Sequence, residues 1–215
     1  MKATFQSTHL GNECLGCGIL EGAAHRTGCK FLSDNKEIDV IVAEKGFDKD
    51  KLRLNIGAGN VRYSNCINME LEEATDVDCD IVGNIAKGLY FIKEDTFVEI
   101  LFIHVIEHIE RKYHDRVFGE IWRLLKPGGR LVLGFPDFIE TAQRFMNNDY
   151  GARWRIYNNA IYGRQSREGD FHVTAMERQD VTDRMVANGF VDIKYLITGI
   201  NVTMIAHKGE KLANL

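Results

Sequence analysis

An apolar strand that runs directly into a two-glycine turn constrains the fold of this chain more than any other stretch. It spans residues 53–60, Arg-Leu-Asn-Ile-Gly-Ala-Gly-Asn. Gly57 and Gly59 lack a Cβ, so they tolerate positive φ and let a ligand approach the main chain. A turn or helix after such a strand also points backbone N–H groups toward that ligand. The segment therefore predicts a binding loop for a nucleotide-like molecule.

Short apolar runs follow this turn and alternate with helical or turn segments. Runs rich in Ile, Val, Leu and Phe are typical of a parallel sheet that is covered on both faces. The segment 198–201 between the last two runs is too short for a helical crossover, so this pair is predicted to be antiparallel. The predicted strands lie near residues 52–57, 66–70, 80–83, 98–103, 129–135, 191–197 and 202–206.

The spacing of apolar residues predicts the helices, and a change in composition predicts the domain boundary. Helical spacing predicts the longest helix over 106–125, with further helices over 137–146 and 180–188. The residue composition and the apolar pattern change near residue 50, where a segment that contains Cys and His is followed by alternating predicted strands and helices. We therefore expect an amino-terminal segment, 1–50, and one α/β domain, 51–215.

Charge and hydropathy exclude several classes of protein. The net charge of −4 and the pI near 6.0 give no general attraction to nucleic acid or to an anionic membrane. No stretch reaches the roughly 18 apolar residues expected of a membrane span, and no signal peptide is recognised at the amino terminus. The expectation is a cytoplasmic protein without a membrane partner.

Four segments in a fixed order resemble one known family. They are Asn55–Gly59, Asn68–Leu71, His104–Ile109 and Leu125–Leu133. This set resembles the class I methyltransferases that use S-adenosylmethionine, and most of all the small type 11 members, some of which act on sugars or polysaccharides. The resemblance implies a Rossmann-like sheet of seven strands with helices on both faces and an antiparallel last strand.

The resemblance also implies a set of cofactor-binding residues. The family usually has aspartate where Glu70 stands, and often an acid where Asn84 stands. Glu70 is long enough to accept from two ribose hydroxyls, and the Asn84 carbonyl can accept from the adenine amino group. The short gap between Gly59 and Glu70 predicts a turn in place of the usual first helix. The implied residues are Asn55, Gly57, Ala58, Gly59, Glu70, Leu71, Asn84, Ile85 and His104.

Methylation of an oxygen requires a base, and histidine suits that role near neutral pH. The candidates are His104 at the end of the fourth strand and His172 in Gly-Asp-Phe-His-Val, with Asp137 as an orienting or alternative base. Residues 147–171 carry several aromatic side chains and are predicted to form a lid over the acceptor. A small molecule or a glycan is the expected acceptor, and nucleic acid is less favoured.

Two other enzyme classes share single motifs with this chain. A nicotinamide-binding Rossmann domain would require a third glycine or alanine where Arg62 stands. The segment His104-Val-Ile-Glu107-His108 spells the His-x-x-Glu-His signature of inverse zincin peptidases, in which both histidines hold zinc from one helix. Because His104 directly follows an apolar strand, we favour helix capping and internal hydrogen bonds for Glu107 and His108.

The amino-terminal segment contains a separate group of metal-ligand residue types. Two thiolates of a Cys-x-x-Cys-Gly turn can bind one tetrahedral ion, and a later His/Cys pair completes a Cys₃His set. The arrangement resembles a zinc knuckle and predicts a structural zinc ion. An alternative function uses this segment for assembly in a non-catalytic scaffold with the methyltransferase fold. The predicted ligands are Cys14, Cys17, His25 and Cys29.

Overall fold

The computed structural model describes residues 5–8, 11–14, 38–71, 79–149, 154–166 and 169–210. The strands in these ranges are β1 (Phe5–Thr8), β2 (Gly11–Cys14), β3 (Arg53–Ile56), β4 (Cys66–Glu70), β5 (Ile81–Val82), β6 (Phe97–Ile103), β7 (Leu125–Pro136), β8 (Phe190–Thr198) and β9 (Asn201–Lys208). The α-helices are α1 (Ile38–Lys45), α2 (His114–Leu124), α3 (Phe138–Met146), α4 (Trp154–Tyr162) and α5 (Arg178–Ala187).

Seven of these strands form one sheet in the order β5-β4-β3-β6-β7-β9-β8. The first five of that order are parallel, whereas β9 is antiparallel to both β7 and β8. The strands β1 and β2 pair with each other in a separate antiparallel hairpin. The predicted Rossmann-like sheet of seven strands with an antiparallel last strand is therefore confirmed.

The hydrophobic core lies along both faces of the sheet. Strand β4 is buried at every position, as expected of a parallel strand covered on both sides. Helix α2 adds one apolar face, including Val117, Phe118 and Ile121, all fully buried. Ile41 and Val42 of α1 belong to the same core, so part of the segment predicted as 1–50 packs with the α/β domain.

The predicted helix over 106–125 begins later than expected. Its first half is replaced by two short 3₁₀ turns, Ile106–His108 and Arg111–Tyr113, and α2 starts only at His114. The carbonyl of Glu107 accepts from the backbone N–H groups of residues 173 and 174, and the carbonyl of Ile109 accepts from two side chains. These distant donors replace the i→i+4 bonds that a continuous helix would require.

None of the helices in the described ranges combines the length and apolarity that a membrane crossing requires.

His114 makes the stability of the domain depend on pH. Its ring is fully buried, Nε2 donates to the Ile109 carbonyl at 2.9 Å, and Nδ1 has no partner. Burial lowers the pKa of His114 below its usual 6.5, and the bond to Ile109 opposes that shift only in part. The unfolded chain therefore binds the proton more tightly, and the free energy of unfolding falls as the pH drops below about 6.5.

We expect His114→Gln to reduce this pH dependence, because the glutamine amide does not titrate. Urea unfolding at several pH values between about 7 and 5 will show a shallower fall than in the unmodified protein. Equal slopes for the unmodified protein and His114→Gln would refute this origin of the pH dependence.

Candidate active site

The predicted functional residues lie at the carboxyl edge of the parallel part of the sheet. The glycine turn follows β3, Glu70 ends β4, Asn84 follows β5, His104 follows β6 and Asp137 follows β7. The chain builds outward from β3 on one side and from β6 on the other, so these two central neighbours mark the topological switch point. Ligands of open α/β sheets bind in the crevice at such a point.

The glycine turn has the expected backbone but uses its N–H groups within the protein. Gly57 and Gly59 have φ of +66° and +51°. The N–H groups of Gly57 and Ala58 donate to the Met69 carbonyl at 2.9 and 3.2 Å, and that of Gly59 donates to the Glu70 carboxylate. The prediction that these N–H groups face a ligand is therefore wrong. Because a turn replaces the first helix, they bond to the end of β4 instead.

Open space remains beside Gly59. A Cβ placed there would have no neighbour within 4 Å, so the turn leaves room for a ligand at this point. A Cβ on Gly57 would instead lie 2.4 Å from Cγ2 of Val105. A substitution at Gly57 would therefore disturb packing, and Gly59 is the better position at which to test ligand binding.

Glu70 and Leu71 end β4 beside this opening. Glu70 is buried, and one carboxylate oxygen accepts from the Gly59 N–H group. A carboxylate has about four acceptor positions, so capacity for ribose hydroxyls remains. Leu71 is exposed just beyond it. The glycine turn, Glu70 and Leu71 thus lie together, and their contacts with a cofactor stay a prediction.

Two asparagines near the turn have structural partners. Asn55 is buried and donates to the Val61 carbonyl at 3.2 Å, which holds the loop that follows the glycine turn. The Asn84 carbonyl accepts from the Ala86 N–H at 2.9 Å and caps the 3₁₀ turn Ile85–Lys87. One lone pair of the Asn84 carbonyl remains for an adenine amino group, while the Ile85 side chain is buried below it.

His104 is held in one orientation at the end of β6. Its φ is +55°, and its N–H donates to the Gly134 carbonyl at 2.8 Å. The ring Nδ1 lies 3.1 Å from Oε1 of Glu107, which is fully buried. About half of the His104 side chain is exposed. A partly exposed histidine whose ring is oriented by a buried carboxylate has an arrangement that suits a base.

His172 joins His108 beside Glu107. The two imidazoles meet edge to face, with ring centroids 4.9 Å apart. Nδ1 of His108 lies 2.8 Å from the Phe171 carbonyl, and Nδ1 of His172 lies 3.0 Å from the Ala160 carbonyl. Burial lowers the pKa of His172, and the charge of Glu107 opposes that shift. The sequence singled out His172, but its pairing with His108 has no local signal.

Asp137, the predicted orienting or alternative base, holds two helix starts together. Its side chain is buried, and Oδ1 accepts from the Glu140 N–H at 2.9 Å, which caps α3. Oδ2 accepts from the Arg178 N–H at 2.9 Å and joins the start of α5 to the same point. Both carboxylate oxygens therefore accept from backbone donors, and the role of Asp137 as a base stays a prediction.

Asp137→Ala is expected to lower the free energy of unfolding by about 2–4 kcal/mol, because it leaves two backbone donors without their acceptor. Urea unfolding measures the change. Asp183→Ala provides a control on the exposed side of α5, where a loss within about 0.5 kcal/mol is expected. If Asp137→Ala abolishes activity while stability is unchanged, Asp137 is a base after all.

Part of the predicted lid is described by α4. Tyr157 is buried, and its hydroxyl donates to the Arg144 carbonyl at 3.1 Å. Trp154 and Tyr162 are more than half exposed, so their rings are available to an acceptor. Within α4 one aromatic side chain packs and two lie at the surface, and the role of residues 147–171 as a lid stays a prediction.

Most of the predicted zinc ligands lie outside the part of the chain that the structure describes. Cys17, His25 and Cys29 lie outside the described residues, and Cys14 is described only as the last backbone position of β2. The structural zinc ion thus stays a prediction.

The peptidase alternative does not fit the structure. His104 precedes the 3₁₀ turn that contains His108, so the two histidines do not share the helix that an inverse zincin requires.

Comparisons with known proteins agree with this geometry. Residues 65–133 match a family model described as "Methyltransferase domain". The match covers 69 of the 215 residues, so it shows a likeness to a methyltransferase domain over that segment. No curated protein matches the sequence.

Solved structures share this fold at low identity. A SAM-dependent methyltransferase from Archaeoglobus fulgidus is 11% identical, with a TM-score of 0.53 over 83% of this chain and 96% of that one. A SAM-dependent methyltransferase from Thermotoga maritima, described as a possible histamine N-methyltransferase, is 16% identical, with a TM-score of 0.51 over 83% and 92%. At such identities the likeness shows the fold alone.

The residues at the carboxyl edge fit S-adenosylmethionine. The space beside Gly59 admits a ligand, and Glu70 supplies buried acceptor oxygens at the same place. The side-chain carbonyl of Asn84, which follows β5 at this edge, is the adenine acceptor that the resemblance implies.

Proposed function

We propose that the protein transfers a methyl group from S-adenosylmethionine to an oxygen atom of a small molecule or a glycan. The observation that carries this proposal is His104, whose ring is oriented by buried Glu107 and is half exposed at the switch point of the sheet. An oxygen acceptor needs a base, and this pair supplies one.

The cofactor residues have separate tasks in this proposal. When bound, S-adenosylmethionine supplies an electrophilic methyl group and leaves as neutral S-adenosylhomocysteine once the electrons of its carbon–sulfur bond return to sulfur. Glu70 accepts from the ribose hydroxyls, Asn84 accepts from the adenine amino group, and Gly59 leaves the space that the ligand enters.

His104 removes the proton from the acceptor. Nδ1 carries a proton toward Glu107, so Nε2 has the lone pair that accepts the hydroxyl proton as the oxygen attacks. The imidazolium that forms is stabilised by the negative charge of Glu107, 3.1 Å from Nδ1. The base is therefore oriented before the acceptor binds. Holding reacting groups in the correct geometry in this way contributes much of the rate acceleration in enzymes.

The surface beside His172 favours an uncharged acceptor. A cleft of about 530 Å³ is lined by Glu110, Arg111, Lys112, Val173, Thr174 and Ala175. Its two cations already bind carboxylates, Arg111 to Asp180 at 2.8 Å and Lys112 to Glu110 at 2.7 Å. Paired cations attract a phosphorylated or nucleic-acid acceptor weakly, which favours a neutral molecule with several hydroxyls.

Gly59→Ala tests the cofactor position. We expect the dissociation constant of S-adenosylhomocysteine, measured by calorimetry, to rise at least about tenfold, because the added methyl group takes the space that the ligand enters. Gly46→Ala is the matched control, since Gly46 has φ of +65° and the same open space, but lies at the end of α1. Both variants should lose about 1–2 kcal/mol of stability from the left-handed backbone.

Equal affinities in the two variants would refute the placement of the cofactor. Absence of binding in the unmodified protein would favour the scaffold alternative over a methyltransferase that acts on this cofactor.

His104→Asn tests the base. Asparagine is chosen because it tolerates positive φ better than most residues. We expect methyl transfer to sugars or other hydroxyl acceptors, followed with radiolabelled cofactor, to fall by about 10²–10⁴-fold. A rate like that of the unmodified protein would exclude His104 as the base.

A further inference from the structure

Three ligand-type side chains converge beside the candidate base. Glu107, His108 and His172 each offer one ligand atom, and these atoms lie within 4.8 Å of one another. Two come from the 3₁₀ turn after β6, and the third comes from the segment between α4 and α5. We name this group the His₂Glu cluster.

The hydrogen bonds of the two histidines leave one nitrogen of each for a metal. A backbone carbonyl only accepts, so Nδ1 of His108 must carry a proton toward Phe171, and Nδ1 of His172 must carry one toward Ala160. In each neutral ring the lone pair is then on Nε2. Carbonyl groups that fix the tautomer in this way are the usual outer partners of metal-binding histidines.

Glu107 supplies an independent sign of a missing partner. Its side chain is fully buried; Oε1 contacts His104, and Oε2 has no hydrogen-bond partner. A buried carboxylate oxygen without a partner is costly, and the common solutions are a cation or a metal ion. Glu107 belongs to the same cluster as the two imidazoles, so one ion bound there would give its carboxylate the missing partner.

We propose that the His₂Glu cluster binds a divalent first-row transition metal ion. Two imidazoles and one carboxylate suit such ions, and three protein ligands leave coordination positions open. Ligand atoms around a tetrahedral ion with bonds near 2.1 Å lie about 3.4 Å apart, so binding requires inward movements of about 1 Å or less. Rotation of the half-buried imidazoles provides such a movement.

The role of the metal rests on the proposed function, whereas its binding does not. An open coordination position beside His104 would take the acceptor oxygen, and the ion would polarise its O–H bond while Nε2 of His104 removes the proton. The carboxylate of Glu107 would then bind both partners, with Oε1 accepting from His104 and Oε2 coordinating the metal. An acceptor with two adjacent hydroxyls would fit this arrangement well.

Cobalt titration of the full-length chain tests the site without cofactor or acceptor. Co²⁺ reports its ligands by its visible spectrum, and thiolate ligands add a charge-transfer band that nitrogen and oxygen ligands lack. The background variant C14S/C17S/C29S removes the thiols of the predicted zinc site. In this background we expect one Co²⁺ per chain, without the thiolate band.

His108→Gln and His172→Gln should each weaken Co²⁺ binding by at least about 100-fold, since each removes a ligand. His207→Gln, on β9 and outside the cluster, is the matched control and should bind as the background does. Circular dichroism establishes that each variant is folded. If either ligand variant does not fold, the stoichiometry and spectrum of the background decide the question.

The outcomes that overturn the proposal are distinct. No bound Co²⁺ in the background variant, or binding that survives both histidine substitutions, means that the cluster is held by hydrogen bonds only. Calorimetry with S-adenosylhomocysteine on the same preparation shows separately whether the proposed cofactor site is present, so failure of one proposal is not mistaken for failure of the other.

Discussion

Parallel pairing of β3 with both β4 and β6 is the constraint on which the site depends. In this register Asn55 lies beside Asn68 on one side and beside Leu101 on the other. All three strands therefore end at the same edge, and the residues that follow them are brought together. The glycine turn, the acid of β4 and the histidine after β6 are neighbours for this reason alone, although some 50 residues of chain separate the first from the last.

Glu107 connects this edge to the segment that precedes α5. Its carboxylate contacts His104, and its carbonyl accepts from the backbone of Val173 at 2.9 Å and of Thr174 at 3.2 Å. One residue thus orients the candidate base through its side chain and anchors the cleft-lining segment through its backbone. The candidate base and the cleft-lining segment are therefore held by the same 3₁₀ turn.

The sequence was sufficient for the sheet, because the sheet depends on local patterns. Apolar runs and the glycine turn predicted the strands, and the short link before Asn201 predicted the antiparallel pair. The structure differs from the predictions where hydrogen bonds join groups that lie far apart in the sequence. Nothing near Gly57 indicates that its N–H donates to Met69, and nothing near Asp137 indicates the donor from Arg178. The delayed start of α2 likewise depends on donors more than 60 residues downstream. The amino-terminal zinc ligands stay a prediction.

The backbone hydrogen bonds between Glu107 and residues 173–174 also limit how the acceptor preference of such an enzyme can be altered by mutation. His172 lies in the segment that lines the cleft, one residue from the donors that hold Glu107. Exchange of this segment for that of a relative would alter the cleft, remove a member of the His₂Glu cluster and loosen the turn that carries the base. New acceptor preferences should therefore arise through single substitutions on the rim of the cleft, at positions such as Arg111 or Ala175, and segment shuffling should yield inactive chimaeras.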